Sequence, residues 1–185
     1  MKRFFDLLLG VVILVLSAFP ALLIAIAVRL TSKGSVLYWS DRAGKNNKIF
    51  MMPKFRSMLI DTPPRATHLL DSPDSYLSPI GGFLRRSSLD ELPQLFSVLK
   101  GDMSFVGPRP DVPGFADKLD YNNSYVCKVK PGITSPSSLY FRDEELLLQL
   151  VTDKETFNKN IIWPKKVELN NHYAKNYSFQ KDLMI

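Results

Sequence analysis

The stretch Leu7–Val28, LLLGVVILVLSAFPALLIAIAV, contains no charged residue. As a helix it would be about 33 Å long, close to the hydrocarbon thickness of a bilayer. The segment therefore belongs in a membrane, and the chain from about residue 31 onward must carry any aqueous chemistry. A cleaved signal peptide is a rival reading, with Lys2 and Arg3 as its basic end and Ala25-Ile26-Ala27 as a cleavage site, but the apolar run is longer than a usual signal core. An ordinary single span is another. Lys2 and Arg3 precede the run and Arg29 and Lys33 follow it, so the bias of basic residues toward the cytoplasm selects no orientation. Inside it lie Ser17 and Pro20. Pro20 removes a backbone donor and crowds the preceding turn, and a serine hydroxyl can bond backbone groups so freed. From these residues alone, a helix that crosses and one that bends and returns are both open.

The chain has 185 residues, enough for one domain with a core. A formal charge of +6 and a pI near 9.4 point to an anionic partner without saying whether it is nucleic acid, lipid or a phosphorylated metabolite. The single cysteine, Cys127, excludes an internal disulfide. His68 and His172 lie far apart and in no metal-ligand spacing, which argues against structural zinc.

Beyond the apolar run, Val36–Trp39 and Ile49–Met52 read as two short strands joined by a turn containing Gly44, Asn46 and Asn47. Asp61–Pro79, rich in Pro, Ser and Asp, reads as a loop placed over a site. Two helices are expected near the end: DEELLLQLVT, with Asp143 as its cap, and WPKKVELNNHYAKNY, with Pro164 at a first helical position. Leu146, Leu147, Leu150 and Val151 would form the apolar face of the former, packed on a core or laid on a membrane surface. Trp163, Tyr173 and Tyr177 beside Lys165, Lys166 and Lys175 suit a headgroup zone.

The densest chemistry is in Arg85–Pro110, RRSSLDELPQLFSVLKGDMSFVGPRP. Ser88-Leu89-Asp90-Glu91 fits a capping box with Ser88 as the N-cap, although Pro93 suits a cap at Asp90 better. In either register Asp90 starts a helix that Gly101 can end. An aspartate with an ordinary pKa of about 3.9 needs no help to ionise. Repulsion from an anionic substrate is the obstacle, about 4 kcal/mol for two unit charges about 4 Å apart at an effective dielectric of about 20. Arg85, Arg86 and Arg109 can offset it, and Glu91 can hold Mg²⁺ between protein and phosphate oxygens. Asp90 can then attack phosphorus. Plain salt bridges between these arginines and acids are the alternative.

Taken in order, the membrane run, KFRSM (Lys54–Met58), SSLDELPQLFSVLKGDMSFVGPRP (Ser87–Pro110) and KPGIT (Lys130–Thr134) resemble the bacterial sugar transferase family, the monotopic polyprenyl-phosphate phosphoglycosyl transferases. The resemblance covers nearly the whole chain, which looks like the family's minimal catalytic form. It implies transfer of a phospho-sugar from a UDP-sugar to undecaprenyl phosphate with release of UMP, the step that initiates a surface glycan. By the same resemblance, Asp90 is the nucleophile that forms a phosphosugar-enzyme, and Glu91 helps hold Mg²⁺, with Asp90 and Glu91 together as the metal-binding dyad. Arg85 and the Pro108-Arg109-Pro110 motif are expected near phosphate or nucleotide, and Lys54 and Arg56 fall in a further family motif. The implied fold is α+β and mainly helical: a re-entrant membrane helix over residues 1–30, hinged at Ser17 and Pro20, then a cytoplasmic catalytic domain over 31–185 with a short β-hairpin and interfacial amphipathic helices. Phospholipid is an expected partner, nucleic acid is not, and a homo-oligomer is left open. The implied location is the bacterial inner membrane, with catalysis on its cytoplasmic face. Two departures stand out. The family breaks its anchor at an adjacent Ser-Pro pair, whereas Ser17 and Pro20 are three apart. After Thr134 this chain reads SPSSLYFRDEE where many relatives carry a different segment, so no donor sugar is carried over.

Overall fold

The apolar run forms α1 (Lys2–Thr31), a helix long and apolar enough by length and composition to cross a membrane. A computed structural model describes residues 1–63, 73–114, 119 and 125–185. The helical backbone continues through Pro20, so the expected break does not interrupt it. A proline deletes only its own donor, and the turns on both sides persist. The expected repair by Ser17 also differs: its hydroxyl donates to the Leu14 carbonyl at 3.4 Å, not to the carbonyl of Leu16, which is the one that Pro20 leaves without its helical donor.

Both ends of α1 dock on the rest of the chain. At the first, Arg3 donates to the carbonyls of Val98 and Leu99. The buried Asp6 carboxylate accepts from Ser104 Oγ at 2.9 Å and from the Phe105 amide at 3.2 Å. Lys2 pairs with Asp182, which also accepts from the Tyr173 hydroxyl. Gly10 is a place where Cβ is not tolerated freely, since one would sit 2.9 Å from Leu99 Cδ2. At the other end, Ile24 and Val28 are buried with Phe55 and Leu84. Between the docked ends, Val15, Leu16 and Phe19 are each about 70% exposed, at 69%, 73% and 69%.

The hairpin is present and longer than expected. β1 (Leu37–Ala43) and β2 (Ile49–Phe55) pair antiparallel with Leu37 opposite Phe55 and Ala43 opposite Ile49. Asn46 and Asn47 both adopt φ of 57° in the connecting turn, a left-handed conformation that asparagine tolerates well. The loop expected over Asp61–Pro79 lies partly outside the described residues. At its near end Leu77 bridges Met58. α2 (Gly81–Arg86) follows, and Gly81 is required there because a Cβ would lie 1.9 Å from the Ser57 carbonyl oxygen.

α3 (Gln94–Lys100) ends where expected, at Gly101 with φ of 102°. Its start does not follow either expected register. Ser88 makes no capping bond and sits in the left-handed region (φ 56°), while Leu89–Glu91 form a 3₁₀ turn and Pro93 holds the N-cap position. The left-handed step at Ser88 reverses the chain after α2 and turns Asp90 inward. Two three-residue strands, β3 (Ser104–Val106) and β4 (Gly132–Thr134), then pair in parallel. Gly107 and Gly132 allow that approach, since a Cβ on Gly132 would lie 2.1 Å from the Gly107 amide nitrogen. Met52, Val98 and Met103 form a second core patch under this pair and the hairpin.

The C-terminal part folds as α4 (Pro136–Tyr140), α5 (Glu144–Gln149), α6 (Lys154–Phe157), α7 (Trp163–Lys175) and α8 (Phe179–Asp182). Of the two settings expected for the leucine face of α5, packing on a core is not the one observed. Leu148 is its buried leucine, and Leu146, Leu147 and Leu150 are exposed. Glu144, one turn before Leu148, bonds Lys166 on α7. Asp143 occupies the N-cap position of α5 but makes no side-chain capping bond. Pro164 lies in the first turn of α7, as expected, but helix already precedes it as a π-turn over Asn158–Ile162. The wider turn accommodates a residue without an amide hydrogen. Tyr173 is buried, with Tyr177 edge-on to it at 6.2 Å, so Tyr173 serves packing and not a lipid headgroup zone.

Candidate active site

Four elements bring charge to one place. The 3₁₀ turn carries Asp90 and Glu91, β2 carries Lys54, the end of α2 carries Arg85, and the segment after β3 carries Arg109. Lys54 Nζ lies 2.7 Å and Arg109 Nη2 2.5 Å from the same oxygen, Glu91 Oε1. Asp90 beside it is 8% exposed.

The two carboxyls are driven apart. Burial alone would raise Glu91, but the charges and hydrogen bonds of Arg109 and Lys54 outweigh it and bring the group down to about 2. For Asp90 burial wins and raises the pKa, helped by the charge of Glu91 and opposed by Lys54 and Arg85. Burial lowers Lys54 despite its bond to Glu91. Neighbouring acids with separated affinities for protons take separate roles. Glu91 is a fixed anion clamped by cations. Asp90 is the more basic carboxylate of the two, and among the described residues no cation is hydrogen-bonded to it. The sequence alone treats Asp90 as an ordinary acid, because burial is invisible in it.

Arg109 is presented by a rigid segment. The flanking Pro108 and Pro110 are buried, and their carbonyls are held from two sides: Gly132 N–H donates to Pro108 at 2.9 Å and Arg42 Nη1 donates to Pro110 at 3.3 Å. Ala43 N–H donates to the Asp111 carbonyl at 2.9 Å. The Arg109 side chain stays 46% exposed, so one edge of the guanidinium remains available beyond Glu91. Arg56, also expected here, is engaged elsewhere: it donates to the Ser35 carbonyl and hydroxyl at 2.8 and 2.9 Å and lies over the Tyr38 ring, at the exit from α1. Arg85 also contacts Met58 Sδ at 3.8 Å.

Sequence reasoning missed a second charged layer behind Arg109. Asp111 lies among Lys166, Arg42 and Arg109, with Glu144 beyond. Burial pushes its carboxyl up to about 6, against the pull of those three cations. Arg42 shares the inward strand face with Lys54, since Arg42, Ser40 and Tyr38 alternate opposite Phe50, Met52 and Lys54. That parity was the available signal for Arg42. For Asp111 the signal was its place next to the Pro-Arg-Pro motif.

A carboxyl whose folded pKa exceeds its ordinary 3.8 binds its proton more tightly in the folded protein. Its contribution to stability is therefore full at low pH and is lost as pH rises from about 4 through 6. Asp111→Asn is expected to remove that loss, so the variant should melt higher than wild type at pH 7 and no higher at pH 3.5. Thermal unfolding of both proteins across this range checks it.

The bacterial sugar transferase profile matches residues 1–185. The chain belongs to the bacterial sugar transferase family. An undecaprenyl-phosphate glucose phosphotransferase from Komagataeibacter xylinus is 40% identical over 176 residues, covering 88% of this chain and 33% of that protein. An N-acetylgalactosaminephosphotransferase from Aeromonas hydrophila, acting from UDP-N-acetylgalactosamine on undecaprenyl phosphate by its name, is 32% identical across all of this chain and 41% of its own length. The Escherichia coli (strain K12) UDP-glucose:undecaprenyl-phosphate glucose-1-phosphate transferase is 34% identical, again across the whole chain and 38% of that protein. This chain thus spans about a third to two-fifths of those relatives, and their named sugars differ among themselves.

Proposed function

We propose that this transferase moves a phospho-sugar from a UDP-sugar to undecaprenyl phosphate, releasing UMP, by way of an aspartyl-phosphosugar on Asp90. The observation that carries the reading is the buried, more basic Asp90 beside Glu91, whose Oε1 gathers Lys54 and Arg109. Asp90 Oδ attacks the sugar-bearing phosphorus and the bond to the UMP oxygen breaks. Arg109 and Arg85 offset charge on the diphosphate, which would otherwise repel a carboxylate. The lipid phosphate then displaces Asp90 and restores the free carboxylate. The names of the relatives support donor and acceptor, and a place in surface glycan assembly follows from that acceptor.

The donor set suits Mg²⁺. Asp90 and Glu91 offer hard oxygens, and no group of three or more His, Cys, Asp or Glu gathers among the described residues. This fits an ion shared with substrate phosphates rather than caged by protein. Asp90 and Glu91 would hold it. Bound there, Mg²⁺ would neutralise charge on the diphosphate. Screening UDP-sugars for metal-dependent UMP release by the purified protein tests the function. Failure with every donor would leave a membrane-anchored basic adaptor as the better account.

We also place both termini and the catalytic part on the cytoplasmic face of the inner membrane, with α1 re-entering instead of crossing. The support is that Lys2–Gly10 and Ile24–Val28 contact one body. The stretch between them, 11–23, would be about 20 Å long as a helix, too short for the roughly 30 Å hydrocarbon core. A cysteine replacing Lys33 is expected to resist a membrane-impermeant thiol reagent added from the periplasmic side and to react after the membrane is opened. Labelling of intact spheroplasts would mean that α1 crosses. The exposed Leu146, Leu147 and Leu150 fit a helix laid against the same membrane surface.

A further inference from the structure

Asp111 is an acidic side chain beside a phosphate-binding arginine, a placement that phosphate binding alone does not explain. Three cations surround it, yet each is hydrogen-bonded elsewhere. Arg109 bonds Glu91, Lys166 bonds Glu144, and Arg42 bonds Ser40 Oγ and the Pro110 carbonyl. Among the described residues none of them donates a hydrogen bond to the Asp111 carboxylate. The cations offset only part of the cost of burying its charge, and its lone pairs stay available. Asp111 and Arg109 line one small cleft with Gly44, Pro108 and Pro131, so the carboxylate, itself only partly buried, lies next to whatever anion Arg109 holds. A carboxylate there is disfavoured at neutral pH, because burial raises its pKa against the pull of the three cations.

We propose that Asp111 is a specificity-determining residue that accepts hydrogen bonds from the ribose hydroxyls of the nucleotide half of the donor. This rests on the phosphosugar-transfer reading above and extends it. The charged groups run in the order Asp90, Glu91, Arg109, Asp111. If Asp90 meets the sugar-bearing phosphorus, the departing phosphate meets Arg109, and the next group along UMP is its ribose. The sugar leaves the phosphorus on the other branch, away from Asp111. A carboxylate offers two oxygens to a vicinal diol, a pairing that nucleotide sites use elsewhere.

The test titrates the purified full-length protein calorimetrically with UMP and with 2′-deoxy-UMP. Hydrogen bonds to a charged acceptor are worth enough for wild type to favour UMP by about tenfold or more. Asp111→Asn is expected to weaken UMP by a similar factor, to leave 2′-deoxy-UMP within about twofold of its wild-type value, and so to collapse the preference. Equal binding of both nucleotides by wild type overturns the proposal without help from any variant. So does a preference that survives in Asp111→Asn, or a variant that loses both nucleotides alike. If wild type releases UMP from a UDP-sugar but shows no preference, this inference alone fails. If it neither binds UMP nor releases it, the transferase reading fails with it.

Discussion

Asp90→Asn protein is expected to release UMP from a UDP-sugar at no more than about a thousandth of the wild-type rate, as removal of a covalent nucleophile does elsewhere. Exchange of labelled UMP into UDP-sugar without lipid acceptor should vanish with it. The fold should survive, because asparagine is isosteric with aspartate and burial already works against the charged form at this position. Loss of activity would therefore report chemistry and not collapse, and the thermal midpoint of the variant checks this. Exchange that persists in the variant would remove Asp90 from the nucleophile's role and leave direct attack by the lipid phosphate, with Asp90 only a ligand for metal.

Glu91→Gln should be nearly as damaging for a different reason. Glu91 is the anion that holds Lys54 and Arg109 on one oxygen. A neutral amide leaves both cations to repel each other and withdraws a charge from the proposed metal site. The rate is expected to fall about 100-fold or more, the usual scale for one electrostatic contributor. Removing one partner of a buried ion pair costs about 3–5 kcal/mol, and the lower end applies because Arg109 can rehydrate. Denaturant unfolding measures this. The pH dependence has a definite sign: Glu91 is held down at about 2, so the stability it contributes is present above about pH 4.5 and is lost as pH falls toward 2. Wild type should approach the Glu91→Gln variant in stability only in strong acid. A variant with unchanged rate would show that Glu91 neither positions cations nor binds metal during turnover.

Much of this molecule is legible in the sequence where a local rule governs. The uncharged run fixes α1, the Asn-rich turn between two β-rich segments fixes the hairpin, and Gly101 ends α3 because only a left-handed residue fits there. The dyad with Arg109 and Lys54 is legible through the family motifs. What failed depended on tertiary context. Ser88 matches a capping box, but it takes the left-handed step that turns Asp90 inward. Leu146, Leu147 and Leu150 share a face of α5 as their spacing requires, but that the face is exposed while Leu148 is buried depends on what α5 packs against. β3 and β4 are three residues each and pair across a long separation, too short to leave a pattern. Arg56 reads as a site residue by its motif and is drawn instead to Ser35. Asp111 joins the site only because β1, α7 and the Pro-Arg-Pro segment converge.

The most direct test of covalent transfer through Asp90 is peptide mass spectrometry of wild-type protein quenched in acid after incubation with a UDP-sugar and Mg²⁺ and no lipid acceptor. The account predicts a mass increase of one sugar phosphate on the peptide carrying Asp90, lost on adding undecaprenyl phosphate or UMP. Unmodified protein, from a preparation that releases UMP only when the lipid is present, would contradict it.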